Sequence, residues 1–248
     1  MSRAIHNVYT LVKKELYCYF VSPVAYVFMV IFLLLTGFFT FMLGGFFQRG
    51  EASLDSFFLW HPWLFMFLVP AVGMRLWSEE RRSGTLELLF TLPTTPWQAI
   101  LGKYLAGSFF LGLCLLLTFP MIITVRYLGD PDTGTIACGY LGSFLVAASF
   151  LAVSGLTSAL TRNQVVSFII ALVVCLLLIL AGWPPVTDMF IKWAPVALVE
   201  LVAAFSIIPH FDSLQRGVID SRDIVYYLSV ITFSLFATSV VLRSRRAS

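Results

Sequence analysis

The residues able to do chemistry concentrate in one stretch, positions 75–104, which reads RLWSEERRSGTLELLFTLPTTPWQAILGKY. Arg75, Glu79, Glu80, Arg81, Arg82, Glu87 and Lys103 fall inside it, although only 12% of the chain is charged and 59% is hydrophobic. Interleaved acids and bases make ion pairs and charge-assisted hydrogen bonds. Such groups hold a geometry or receive a partner; they do not by themselves break covalent bonds. Elsewhere the sequence offers no catalytic grouping. Cys18, Cys114, Cys138 and Cys175 lack C-x-x-C spacing and fall in different segments, so neither a metal site nor a disulfide framework is indicated. His6, His61 and His210 are scattered. No phosphate-binding loop occurs, because Gly102-Lys103 lacks the preceding glycine and the following Ser or Thr. The chain is therefore expected to bind no metal or cofactor, to hydrolyse no ATP by itself and to be no enzyme.

Local signals divide the charged stretch into elements. Ser83-Gly84-Thr85 ends the helix arriving from upstream and offers hydroxyl caps for a new one. Leu86, Leu88, Leu89, Phe90 and Leu92 form an apolar run too short to span a bilayer, and Pro93 stops it. Thr95-Pro96-Trp97-Gln98 opens another helix: Thr at the N-cap, Pro at the first helical position, and Gln placed to bond back. A short helix lying across a membrane face suits docking into a groove on another protein. An ordinary connecting loop, whose charges only set membrane orientation, fits the same composition.

The elements that must position this stretch are membrane spans. Soluble domains are about half apolar and about a quarter charged, whereas this 248-residue chain has a mean hydropathy of +0.92. It reads as an all-α polytopic membrane protein forming a single transmembrane domain over 1–248. Six apolar runs lie at about 24–47, 57–77, 104–128, 136–160, 165–182 and 224–242. Ahead of them, Ile5, Val8, Tyr9, Val12, Leu16, Tyr19 and Phe20 recur at helical spacing, with Arg3, Lys13 and Lys14 off that stripe. Residues 1–22 are thus expected to be an interfacial amphipathic helix and not a signal peptide, with packing on a partner as the alternative. His61 stands between Trp60 and Trp63 and reads as an interface histidine, a functional intramembrane group being the other reading. Gly107, Ser108 and Gly112 on the third span admit close helix approach, as do Gly142, Ser143, Ala147, Ser154 and Ser158 on the fourth; a substrate path is the alternative. No chain of carboxylates or histidines runs through the spans, so energy for any movement has to come from elsewhere.

Residues 183–222 break the pattern. Trp183-Pro184-Pro185 ends the fifth span, and an apolar helix is expected from Pro195 to a stop at Ile208-Pro209. At about 14 residues it covers roughly 21 Å, short of the bilayer core. It also carries Glu200, whose charge at the membrane centre would cost several kcal/mol. The segment is expected to be re-entrant or extracytoplasmic. With six spans, 11 of the 16 basic residues fall on one side, including those of 75–103 and both termini, while the 13 acids divide 4 to 9 the other way. The positive-inside rule makes the basic side cytoplasmic. This implies a multi-pass protein of the cell inner (plasma) membrane with both termini and a 78–103 loop inside. Nucleic acid is not an expected partner.

The run Glu80-Arg81-Arg82-Ser83-Gly84-Thr85-Leu86-Glu87, followed by Leu88-Leu89 and Pro93, resembles the loop after the second span of ABC-2-type transporter permeases. Lys14-Glu15-Leu16 with the run 19–27, and the run 211–229 with Gly217, Asp220, Arg222 and Asp223, resemble the gliding-motility-associated branch, itself similar to the permease of nitrous-oxide reductase maturation. The resemblance implies a coupling helix at 86–92 that contacts a separate ABC ATPase, which would hold the ATP and Mg. It implies ATPase-coupling roles for Glu80, Gly84, Thr85, Leu86, Glu87, Leu89 and Phe90, and an outer gate or re-entrant segment containing Glu200, Gly217, Asp220, Arg222 and Asp223. A second permease copy or related membrane subunit, in some cases with an extracytoplasmic domain, is the other implied partner, joined through spans two and five. A membrane anchor that passes ATP-driven motion to an extracytoplasmic partner fits the same features.

Overall fold

A computed structural model describes residues 2–50, 52–85, 95–192 and 195–244. Among them the regular elements are all helical. Helix α1 (Ser2–Val21) gives way at Ser22 to α2 (Pro23–Phe38); the Ser22 hydroxyl accepts the Val24 N–H, and Pro23 takes the first turn. A π-helical turn, Phe39–Leu43, and the left-handed Gly45 (φ +59°) bend the chain into α3 (Phe46–Arg49). The second span strings together α4 (Asp55–Phe58), α5 (His61–Gly73) and α6 (Arg75–Ser83). The third joins α7 (Pro96–Leu116) and α8 (Pro120–Leu128). Then follow α9 (Thr133–Leu160), α10 (Gln164–Leu180), α11 (Pro184–Ile191), α12 (Val196–Ala203), α13 (Ile207–Gln215) and α14 (Ser221–Ser244). By length and composition, five of these strings are able to cross a membrane among the described residues. The α10–α11 pair, bent by 68°, supplies a sixth if it counts as one span.

Helix α9 is the hub. It packs on α5, α6, α7, α10, α13 and α14, and its small residues make that possible. Gly139 receives the Phe58 ring, Gly142 faces Leu214, and Ser154 lies against Gly73 so closely that a Cβ there would sit 2.2 Å from the Ser154 Cβ. The small face of the fourth span is therefore spent on helix contact. Its N-terminus is fixed by Asp132, whose carboxylate accepts the Gly134 N–H at 2.9 Å and the Thr135 hydroxyl at 2.8 Å. Those two donors hold the Asp132 carboxyl below the usual range, Thr135 foremost. A depressed carboxyl stabilises above its unfolded pKa and loses that contribution as pH falls through the folded value. Asp132→Ala should thus lower the thermal midpoint by a few degrees at neutral pH, and the two proteins should converge in acid.

Several elements depart from the sequence expectation. Residues 96–103, set ahead of the third span by the sequence reading, continue into it as one helix that opens at the expected Thr95–Gln98 capping box, Gln98 accepting the Thr95 N–H at 3.1 Å. Lys103 consequently lies on a membrane-entering helix. No single helix runs from Pro195 to Ile208. Ser206 interrupts it, capping α13 through the Ile208 N–H and donating to the carbonyls of Leu178 and Ile179 at 2.9 and 3.2 Å. Pro209 falls in the first turn of α13, where a missing N–H costs nothing, so the proline stands inside a helix start and not at a stop. His61 is fully buried and faces the rings of Phe32, Phe57, Phe58 and Phe65, away from any water-facing rim. Helix α1 packs along α7, and Gly102 admits Leu11, a residue off the sequence stripe. Ile5 and Tyr9, on that stripe, stay exposed, on the face that the interfacial reading turns toward the acyl boundary.

Candidate functional site

The expected coupling residues divide at position 85. Glu80, Gly84 and Thr85 lie at the C-terminal end of α6; Leu86, Glu87, Leu89 and Phe90, with the short helix expected there, lie outside the described residues. Gly84 takes φ +72°, a left-handed C-cap that a residue with a Cβ resists. The Ser83 hydroxyl donates to the Glu79 carbonyl at 2.9 Å and lies 2.9 Å from that of Thr85. Here the hydroxyls finish the arriving helix.

Three links fix α6 to the rest of the molecule. The first is at Met74, where the second span breaks between α5 and α6, four residues after Pro70. The Ser158 hydroxyl of α9 fills the break: it accepts the N–H groups of Trp77 and Ser78 at 3.0 Å each and donates to the Met74 carbonyl at 2.8 Å. That uses the full capacity of one hydroxyl. Ser78 donates from its own hydroxyl to the same carbonyl. The second link is Arg81, whose guanidinium bonds the Ala159 carbonyl at the C-terminal end of α9, where a cation is favoured by the helix dipole.

The third is an ion cluster. Lys103 of α7 places its Nζ 2.8 Å from a Glu80 oxygen and 3.0 Å from a Glu15 oxygen of α1. The three side chains are 8%, 19% and 16% exposed. The ammonium also lies 5.5 Å from the centre of the Trp77 ring, within cation–π range. Tyr19 of α1 stands nearby: burial pushes its phenol up, the Glu15 charge adds to that shift and the Arg75 charge opposes it. Two acids and one base from three elements thus converge where α1, α6 and α7 meet. In this geometry Glu80 faces inward, onto Lys103.

At the other end of the spans, the expected gate residues scatter. Glu200 is exposed on α12, and Arg222 is exposed at the start of α14. Gly217 makes the turn before α14 with φ +82°. Asp220 accepts the Arg222 N–H at 3.0 Å and opens that helix. Asp223 alone joins a buried network: it pairs with His210 of α13 at 2.7 Å, and His210 stacks on Tyr226 at 4.1 Å. The Tyr226 hydroxyl donates to the Phe205 carbonyl at 2.6 Å, which ties α14 to the turn between α12 and α13.

Sequence reasoning did not single out Glu15, Ser158 or His210 as site residues. Each acts on a partner in a distant element, and no local spacing signals that. Lys103 was visible only as one charge among seven. None of these groups forms a catalytic constellation; the described residues make hydrogen-bonded and ionic joints between helices. Among protein families, residues 47–212, more than half of the chain, match the family described as ABC-2 family transporter protein. The matched stretch contains the α4–α6 string and all of α9, while α1 and α14 lie outside it. No curated protein matches the chain.

Proposed function

The chain belongs to the ABC-2 family of transporter proteins, and from that membership we propose that it is the permease subunit that turns the work of a separate ABC ATPase into motion across the inner membrane. It is a multi-pass membrane protein, and a member of this family is a transport component and not a catalytic one. The single observation that carries the coupling reading is the inner end of α6. A charged helix continues a membrane span, is splinted to the hub helix by Ser158 and Arg81, and delivers the chain through Gly84 toward residues 86–94. Force applied to those residues has a short, hydrogen-bonded route into α5 and α9. The cytoplasm is then the side of α6, in keeping with the charge asymmetry, and both termini share it.

A second permease subunit would dock on the outer face of α10. Ser167, Ala171, Cys175 and Ile179 turn inward on that helix, leaving Val166, Ile169, Val173 and Leu177 uncovered. The assignment to the gliding-motility-associated branch rests on residues 14–27 and 211–229, which lie almost wholly outside the family match. The test is purification from the native host in mild detergent, followed by mass spectrometry. A stoichiometric ATPase with a phosphate-binding loop is expected, together with a second membrane subunit or copy. A homo-oligomer free of any ATPase, under conditions that preserve other membrane complexes, would overturn the reading and leave a passive anchor.

A further inference from the structure

We propose that Lys103 is a positioning residue that clamps the N-terminal helix α1 to α6, so that α1 and the C-terminal end of α6 move as one body. The principal neighbours of α1 are α7 and α2. It is tied toward α6 by the Lys103 ammonium, which holds Glu15 of α1 and Glu80 of α6 at the same time. The packing below that ammonium is built for it. Gly102 lets Leu11 approach until a Cβ would stand 2.9 Å from the Leu11 Cβ, so α1 lies directly on the turn that presents Lys103. Asn7 and Gln98 meet one turn lower, their side-chain amides 3.5 Å apart.

The charges paired with Lys103 come from two different elements, Glu15 from α1 and Glu80 from α6. Buried ionic groups contribute more to a unique arrangement than to raw stability, and removal of one partner leaves the others uncompensated. With Lys103 gone, two carboxylates would face one another in a half-dry site, which like charges disfavour. The cluster is therefore either closed, with α1 seated, or open, with α1 released. Glu15 lies outside the family match, while Glu80 and Lys103 lie inside it. What the clamp transmits rests on the coupling reading above; that it closes does not.

The test uses the full chain in native membranes. In a Cys18→Ser background, Asn7→Cys and Gln98→Cys are linked by a short bis-maleimide, and the rate of intramolecular linkage reports how often α1 is seated. Lys103→Met should slow linkage by about tenfold or more, and Lys103→Arg, which keeps a cation able to reach two carboxylates, should restore it. Glu15→Gln leaves the Lys103–Glu80 pair intact, so it decides the matter if Lys103→Met fails to accumulate; it too should slow linkage. Linkage at the parental rate in these variants would overturn the clamp. The co-purified ATPase supplies the second readout. If Glu15→Gln slows linkage and also lowers the ATP-driven output of the complex while the ATPase stays bound, clamp and coupling both stand. If no ATPase accompanies the parent protein, the coupling reading fails, and the linkage rates still decide the clamp.

Discussion

Replacing Ser158 with alanine should cost the protein roughly 2–4 kcal/mol and disconnect α6 from the hub helix. One hydroxyl serves three backbone groups, the N–H of Trp77, the N–H of Ser78 and the carbonyl of Met74, all at 3.0 Å or less. Side-chain hydrogen bonds between membrane helices average about 0.6 kcal/mol, with a maximum near 1.7, and a buried donor left unpaired costs about 1–3 kcal/mol. Alanine differs from serine only by the hydroxyl, so the loss is chiefly one of bonding and not of volume. The expected result is a clear drop in thermal midpoint in detergent, and a complex whose ATPase turns over without driving its output. Ser149 provides the control: it lies on the same helix, is fully buried, and makes no hydrogen bond through its hydroxyl. Ser149→Ala should be close to neutral. Equal stability of the two variants would remove the splint and leave α6 held by Arg81, by the Lys103–Glu80 pair and by packing.

The positions of the helices were legible in the sequence, because the signals that set them are local. Hydropathy marks the spans, Thr95 and Gln98 write a capping box within four residues, and Trp183-Pro184-Pro185 produces the bend after α10. The membrane class and the resemblance to ABC-2 permeases followed from the same local strings. What stayed hidden depends on which faces meet. Ser158 reads as one more small residue on a small face until α9 is laid against the break at Met74. Lys103 and Glu80 lie in one stretch, but the third member, Glu15, belongs to a helix whose own periodicity pointed a different face inward. The division between α12 and α13 turned on Ser206, whose hydroxyl is committed to α10 carbonyls that only the tertiary fold brings within reach.

The crossing of α5 and α9 sets the position of the break itself, and Gly73→Ala should show it. The alanine Cβ would lie 2.2 Å from the Ser154 Cβ and 3.4 Å from the Ser154 backbone carbonyl carbon. The nearer atom has no flexible tail to swing aside, so the helices have to part. Overpacking of this kind costs about 1–3 kcal/mol. Ser154→Gly removes the obstructing atom but also loses the bond from its hydroxyl to the Phe150 carbonyl at 2.6 Å and adds a glycine to a helix interior. Alone it should destabilise as well. Combined with Gly73→Ala it should recover stability, with a coupling energy above about 1 kcal/mol in a double-mutant cycle of thermal or denaturant unfolding. Simple additivity of the two losses would mean that the crossing already tolerates a methyl group. Gly73 immediately precedes Met74, whose carbonyl accepts the hydroxyls of Ser158 and Ser78. A shift at the crossing therefore also moves the acceptor on which the α6 splint depends. For that reason the single variant should lose coupling before it loses the fold, and the double variant should recover both together.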